Sequence, residues 1–284
     1  MNNRVHHVEA VTPIFSYGAD QNQPEIRAAS IRGQLHQWFR LLGGSFEQER
    51  AIFGGIKLTG QESSVERTSS IVIRVETPNF EPIDKPRLPH HKQKKAFAAS
   101  VPAGTKFKVH VFERRQLEEK QRQLLERSLN CWLLAGALGT RANRGGGSLR
   151  CLDQSPRTTE EWYQMMANVV GSQSQLRYGI SKAFFPSAEK ARCAISDTLD
   201  GNNIPVVGKV FGCIHPGRRS SPLKLRVTKL HDNDFRIVAV VDCRPKVTGV
   251  TNQNIQAAID CHRKHYQPKS IGEILNNMSW VSPS

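Results

Sequence analysis

Long apolar runs are missing from this chain. No stretch approaches the ~18 consecutive apolar residues of a membrane-spanning helix. The opening Met1-Asn2-Asn3-Arg4-Val5-His6-His7 does not resemble a signal peptide. No membrane partner is therefore expected, and the cytoplasm is the expected location. Acidic residues are also scarce: 25 Asp and Glu stand against 40 Lys and Arg, a formal charge of +15 over 284 residues. That imbalance points to a polyanion, either nucleic acid or an acidic membrane surface, and the lack of a spanning helix makes the membrane the weaker of the two. The six cysteines (Cys131, Cys151, Cys193, Cys213, Cys243 and Cys261) include no Cys-x-x-Cys and no paired Cys/His zinc spacing. Reduced thiols are expected, several of them acting as small buried hydrophobes, with no metal and no cofactor. The signatures of nucleotide turnover are missing too. There is no Gly-Lys-Ser/Thr phosphate loop, no Gly-x-Gly-x-x-Gly after a first strand, no nucleophile elbow and no His-Glu-x-x-His.

What is present is a short loop rich in glycine and arginine, residues 139–148: Gly139-Thr140-Arg141-Ala142-Asn143-Arg144-Gly145-Gly146-Gly147-Ser148. It joins an apolar helical run, Leu124 to Leu138, to a strand-like Leu149 to Leu152. Three glycines allow positive φ and close approach of a partner, and guanidinium forks beside bare amides suit a phosphate chain. The alternative is a plain helix-to-strand turn.

The spacing predicts a first strand over Val5 to Ile14 and then a helix with Ser30 as its N-cap. In that helix Ile31, Leu35, Trp38, Phe39 and Leu42 share one face, and Arg32, His36 and Arg40 run down another. Strands are expected at Ser70 to Glu76 and Thr105 to Phe112. The second of these alternates Phe107, Val109 and Val111 with Lys106, Lys108 and His110, which describes a sheet with one packed and one basic face. A basic segment at 85–95 lies between them. A helix over Gln116 to Leu138 and the strand after the loop complete a β-α-β-β-α-β order, the ferredoxin-like arrangement.

The second half echoes the first. Phe53-Gly54, followed by Arg67-Thr68-Ser69-Ser70 and Ile71 to Val75, parallels Phe211-Gly212, followed by Arg219-Ser220-Ser221-Pro222 and Leu223 to Val227. A strand at Phe235 to Cys243 and a helix at Asn252 to His265 follow. The chain therefore reads as α+β, with two tandem ferredoxin-like, RRM-like units. The expected domains are 1–153, carrying the loop, and 154–284.

Three stretches resemble the RAMP superfamily, the RNA-binding subunits of CRISPR–Cas effector complexes. They are Thr12-Pro13 with Gly18-Ala19-Asp20, the run from Pro24 to Leu35 with Trp38-Phe39-Arg40, and Gly136 to Leu149. The similarity points to complexes of the type III-B (Cmr) kind. It implies a non-catalytic subunit that contacts guide RNA near its 3′ end, helps capture target RNA, and assembles with other RAMP subunits. The expected RNA-contacting residues are Arg32, Gly33, Lys106, Arg141, Arg144, Gly145, Gly146 and Gly147. The alternative is an endoribonuclease: His36 on the first helix would activate a 2′-hydroxyl, or Asp20 in the loop after the first strand would support metal-dependent cleavage.

Overall fold

The computed structural model describes residues 3–59, 63–89, 97–171, 174–196, 205–212, 221–265 and 271–283. The first unit runs β1 (Asn3–Ala10), α1 (Ala28–Leu41), α2 (Phe46–Phe53), a hairpin of β2 (Gly55–Thr59) and β3 (Ser63–Arg67), then β4 (Ile71–Glu76). A second hairpin, β5 (Ile83–Pro86) and β6 (Phe97–Ser100), precedes β7 (Lys106–Glu113), α3 (Glu119–Ala135) and β8 (Leu149–Cys151). Then come α4 (Thr159–Val170), β9 (Leu176–Ile180), α5 (Ala188–Ser196), α6 (Pro205–Phe211), β10 (Leu223–His231) and β11 (Asp234–Asp242). Helices α7 (Pro245–Thr248), α8 (Asn252–His265) and α9 (Ile271–Asn276) close the chain.

The first sheet has the antiparallel order β4-β7-β1-β8, the 2-3-1-4 order of a ferredoxin-like unit, with α1 and α3 as its two crossover helices. Val8, Phe107, Val109 and Val111 pack against Ile31, Leu35 and Trp38 of α1 and Leu129 and Trp132 of α3. The second sheet, β10-β11-β9, repeats that order, and its fourth position shrinks to one antiparallel bridge between Tyr178 and Val281. Both faces of this second sheet are covered. Leu223, Leu225, Ile237 and Val241 meet the helices that follow β9, while Leu176, Tyr178, Val238 and Val240 join the first unit's core together with Trp162 and Met166 of α4.

The internal echo is structural. In the first unit the hydroxyl of Ser69 donates to the carbonyls of Ile52 and Ile71, at 3.2 and 2.8 Å. In the second, the hydroxyl of Ser221 donates to those of Val210 and Leu223, at 2.8 and 2.6 Å. Gly54 and Gly212 end their helices at φ 77° and 81°, a region that favours glycine. An arginine then reaches each Phe-Gly carbonyl: Arg32 donates to Phe53 and Arg144 to Phe211. Arg219 and Ser220 of the echo, Cys213 and positions 90–95 of the basic segment lie outside the described residues.

Several expectations need correction. The first strand ends at Ala10, because Val11 to Phe15 turn away to bond Ser148 and Val101. Helix α1 starts earlier than expected, so Ser30 lies inside its first turn and Arg27 is the N-cap, with no side-chain cap bond. Helix α3 begins at Glu119 because Glu118 and Gln121 form a reciprocal capping box there. The outer face of the first sheet is mixed rather than basic: Glu76 binds Lys108 at 2.7 Å and His110 at 3.4 Å, and Glu9 binds Arg150 at 2.7 Å.

Candidate nucleic-acid interface

Helix α1 turns Gly33, His36, Gln37 and Arg40 toward the second unit. Lys209 of α6, Lys224 of β10, Asp242 at the end of β11 and Arg244 face them across a cleft of about 950 Å³. The α1 face is shaped from the α2 side. Arg40 forks onto Glu49 at 2.8 and 2.7 Å. His36 Nδ1 pairs with the same carboxylate, and its ring lies 4.2 Å from that of Phe53. Burial works to raise the Glu49 carboxyl, but the bonds from Arg40 and His36 outweigh it and hold the group below the usual carboxylate range. Gly33 is exposed, and a Cβ built there would meet nothing within 4 Å, so the helix backbone is open to close approach.

On the opposite wall Arg244 forks onto Asp242 at 2.9 and 2.8 Å and sends Nη1 to the carbonyl of Arg40 at 2.8 Å. That contact joins the two units at the C-terminal end of α1, where exposed carbonyls favour a cation. Lys224 is only 5% exposed, and its ammonium makes no hydrogen bond or close ion pair among the described residues. Burial, aided by Arg226 and Arg244 and opposed by Asp242, lowers its pKa to about 8. Among the described residues, Arg40, Lys209, Lys224 and Arg244 share the cleft with one lining carboxylate, Asp242, and with Glu49 behind Arg40. Asp242 offsets the desolvation of Lys224 only in part, and no carboxylate pairs with it directly among the described residues.

The glycine/arginine loop occupies the joint between the units. Arg144 bridges Leu225 of β10 in parallel fashion, Gly145 N–H donates to Leu225 at 3.0 Å, and Leu225 N–H donates to Asn143 at 3.3 Å. Thr12 donates to the Gly145 carbonyl at 2.8 Å, and Gly147 N–H donates to the Pro13 carbonyl at 2.9 Å. Gly145, Gly146 and Gly147 are buried. Arg144 is half-buried, and desolvation with the nearby charge of Arg141 lowers its pKa to about 10. Arg226 reaches up from β10 to the carbonyls of Ala142 and Leu225 and to Asn143 Oδ1, and burial lowers its pKa to about 9. Arg141 alone of the loop's arginines is exposed, in the left-handed region at φ 59°.

The fold thus brings Gly33 and His36 into one cleft. It holds Arg32, Arg144 and the three glycines in contacts with protein, and leaves Arg141 and Lys106 exposed. Neither Lys106 nor Asp20 lines the cleft. Asp20 accepts the Asn22 N–H at 2.8 Å, closing a local Asx-turn. Lys209, Lys224 and Arg244 were not singled out from sequence. The signal for Lys224 was its position with Arg226, two cations at period two alternating with the apolar Leu223, Leu225 and Val227.

A sequence profile of the RAMP superfamily matches residues 7–150, half of the chain. The CRISPR system Cmr subunit Cmr1-2 of Pyrococcus furiosus is 28% identical over 183 aligned residues, which take in 53% of this chain and 95% of that relative. The solved structure of apo Cmr1 from Pyrococcus furiosus superposes with a TM-score of 0.55 at 19% identity, covering 85% of this chain and 88% of that one. A chain of a type III-B Cmr-beta complex bound to cognate target RNA and AMPPnP gives a TM-score of 0.55 at 9% identity, over 84% and 93% of the two chains. At these identities the structural likenesses speak for the fold. No helix among the described residues is long and apolar enough to cross a membrane.

Proposed function

This chain belongs to the RAMP superfamily, and from that premise we propose that it is the Cmr1-type subunit of a type III-B CRISPR effector, seating RNA in the cleft between its two ferredoxin-like units. The observation that carries this reading is Lys224, a residue only 5% exposed whose ammonium makes no hydrogen bond or close ion pair among the described residues, lining one cleft with Arg40, Lys209, Arg244 and the bare backbone of Gly33. A phosphate chain supplies the missing anions. Guide RNA and captured target RNA are the polyanions of such an assembly, other RAMP subunits are the neighbours, and the cytoplasm is the setting. Arg141 and Lys106 extend the contact outside the cleft, while Arg32, Arg144 and Gly145 to Gly147 shape the loop and helix that present them. Residues 1–153 and 154–284 serve as the two units of the seat.

The test is RNA binding by the full chain across a salt series. Replacing Lys224 with Met is expected to weaken binding on the order of tenfold, about 1.4 kcal/mol, and to flatten the dependence of log K on log salt by about one unit. Unchanged affinity and slope would remove the cleft from the interface. The same lysine gives binding a pH signature. Its ammonium is present below pH 8 and lost above it, so affinity is expected to fall between pH 7 and 9 in the native protein but not in Lys224→Met. Protein stability moves the other way: the unfolded lysine, near 10.5, holds its proton longer than the folded one, so this group adds stability as pH rises from about 8 to 10.5.

Arg141→Ala is expected to weaken RNA binding with no change in unfolding midpoint, since Arg141 is exposed. Arg144→Ala is expected to lower the midpoint, because it frees the Phe211 carbonyl. Equal effects of the two substitutions on stability would contradict that division of labour.

A second reading draws on His36, which lines the cleft with Glu49 behind it, since a histidine oriented by a carboxylate is a general-base arrangement. Labelled RNA incubated with the protein is expected to stay intact. Cleavage that survives EDTA and disappears in His36→Ala would establish the nuclease instead.

A further inference from the structure

The scattered cysteines carry no metal spacing in sequence, but folding places one of them beside two other donors. Cys151 ends β8, opposite Val8 of β1, and His6 lies two residues earlier on the same side of β1. Asp153 follows just beyond β8. One ligand atom from each of His6, Cys151 and Asp153 lies within 4.8 Å of the others, and the Cys151 Sγ to Asp153 Oδ2 separation is 3.9 Å. His6 Nε2 is buried and has no hydrogen-bond partner, a state that costs free energy unless something supplies one. His7 completes the surroundings: its backbone N–H and its Nδ1 both reach the Asp153 carboxylate, each at 2.8 Å, fixing that group from behind.

We propose that His6, Cys151 and Asp153 bind one divalent ion of the zinc class. The donor set favours that class: thiolate and imidazole select borderline-soft ions over magnesium or calcium, which take oxygen ligands. Tetrahedral zinc, with bonds of about 2.0–2.3 Å, places its ligand atoms roughly 3.3–3.8 Å apart. A side-chain adjustment of about 1 Å therefore closes the observed triangle. Three protein ligands leave a fourth position for water, which opens toward a pocket of about 520 Å³ bounded by β1, α3 and α4. Binding converts the Cys151 thiol to thiolate and releases its proton to buffer, with no change of oxidation state. The bound ion would clip the start of β1 to the segment that leaves β8 for the second unit. It is separate from the RNA cleft, so its fate is independent of the function proposed above.

The experiment uses the full chain, stripped with EDTA and titrated with Zn²⁺ and with Co²⁺ as a spectroscopic probe. One equivalent of zinc is expected to remain after dialysis. Cobalt is expected to give a thiolate-to-metal charge-transfer band together with the intense visible bands of a tetrahedral site. Cys151→Ser should abolish the charge-transfer band, and His6→Gln and Asp153→Asn should each weaken zinc at least about tenfold. His7→Ala, acting through Asp153, should weaken it by roughly 10–100-fold. Cys193→Ser, in the second unit, should change nothing. Each variant is compared with the EDTA-treated native chain by circular dichroism, so that loss of metal is separated from loss of fold. Failure of the native chain to retain zinc, a cobalt spectrum without the thiolate band, or unaltered zinc affinity in folded Cys151→Ser would each overturn the site.

Discussion

Gly147→Ala should destabilise the protein by about 3–5 kcal/mol, a loss reserved for backbone strain combined with a steric clash. Gly147 has φ +60°, and a Cβ added there would lie 1.8 Å from the carbonyl oxygen of Leu138. Leu138 cannot retreat, because its own N–H donates to the Gly147 carbonyl at 2.9 Å and its side chain is 1% exposed in the core. The neighbouring glycines calibrate the effect. At Gly146 the added carbon would meet two carbonyl oxygens at 3.2 Å and φ is not positive, so Gly146→Ala should cost less than about 1 kcal/mol. Gly145 lies between: φ is +73°, but the nearest atom is the terminal Cδ1 of Ile195 at 2.8 Å, which can move. Urea denaturation of the three variants tests the order 147 > 145 > 146. Equal losses would mean that the loop responds to glycine content rather than to backbone geometry.

Arg226→Ala should cost about 3 kcal/mol, and Arg74→Ala, at the equivalent position of the internal repeat, less than about 0.5 kcal/mol. Arg74 is exposed on the outer face of the first sheet, with its guanidinium 5.6 Å from the ring centre of Phe112. Arg226 is 3% exposed, and truncating it would leave the carbonyls of Ala142 and Leu225 and the amide oxygen of Asn143 without this donor, beside a void. The charge itself is costly to bury without a carboxylate, which is why its removal is not worse. Chemical denaturation of the two variants reads the difference directly. A small effect at Arg226 would show that water enters and satisfies the loop.

The contrast between these two arginines also marks what the sequence could and could not disclose. The ferredoxin-like order was legible because Phe107, Val109 and Val111 alternate cleanly and because Ile31, Leu35, Trp38 and Phe39 keep helical spacing. The repeat was legible from Phe-Gly and Ser pairs that proved to make the same hydrogen bonds. Burial of the glycine/arginine loop was not legible. Arginine is mostly a surface residue and a run of glycines reads as an exposed turn, and what covers them is β10, which lies some 80 residues further along the chain and meets the loop only in three dimensions. Strand β9 was missed for a related reason. Leu176-Arg177-Tyr178-Gly179-Ile180 contains a charge and a glycine, both signals against a buried strand. In the fold Arg177 is 7% exposed with its guanidinium 4.5 Å from the ring centre of Trp280. At the cleft, His36 and Gly33 could be selected from one helix. Lys224 and Arg244 belong to a wall that exists only after the second unit docks.

The second sheet, covered on both faces, bears on how a duplicated unit can evolve. A copy that keeps one open face can drift, be exchanged or be lost with little consequence for its sister. Here Val238, Val240 and Tyr178 complete the core of the other half, so a substitution in either copy is felt in both. The freedom that duplication normally confers has been given up in the second copy's interior. What stays clear of that shared interior is the rim of the second copy, where Lys209 and Arg244 line the cleft.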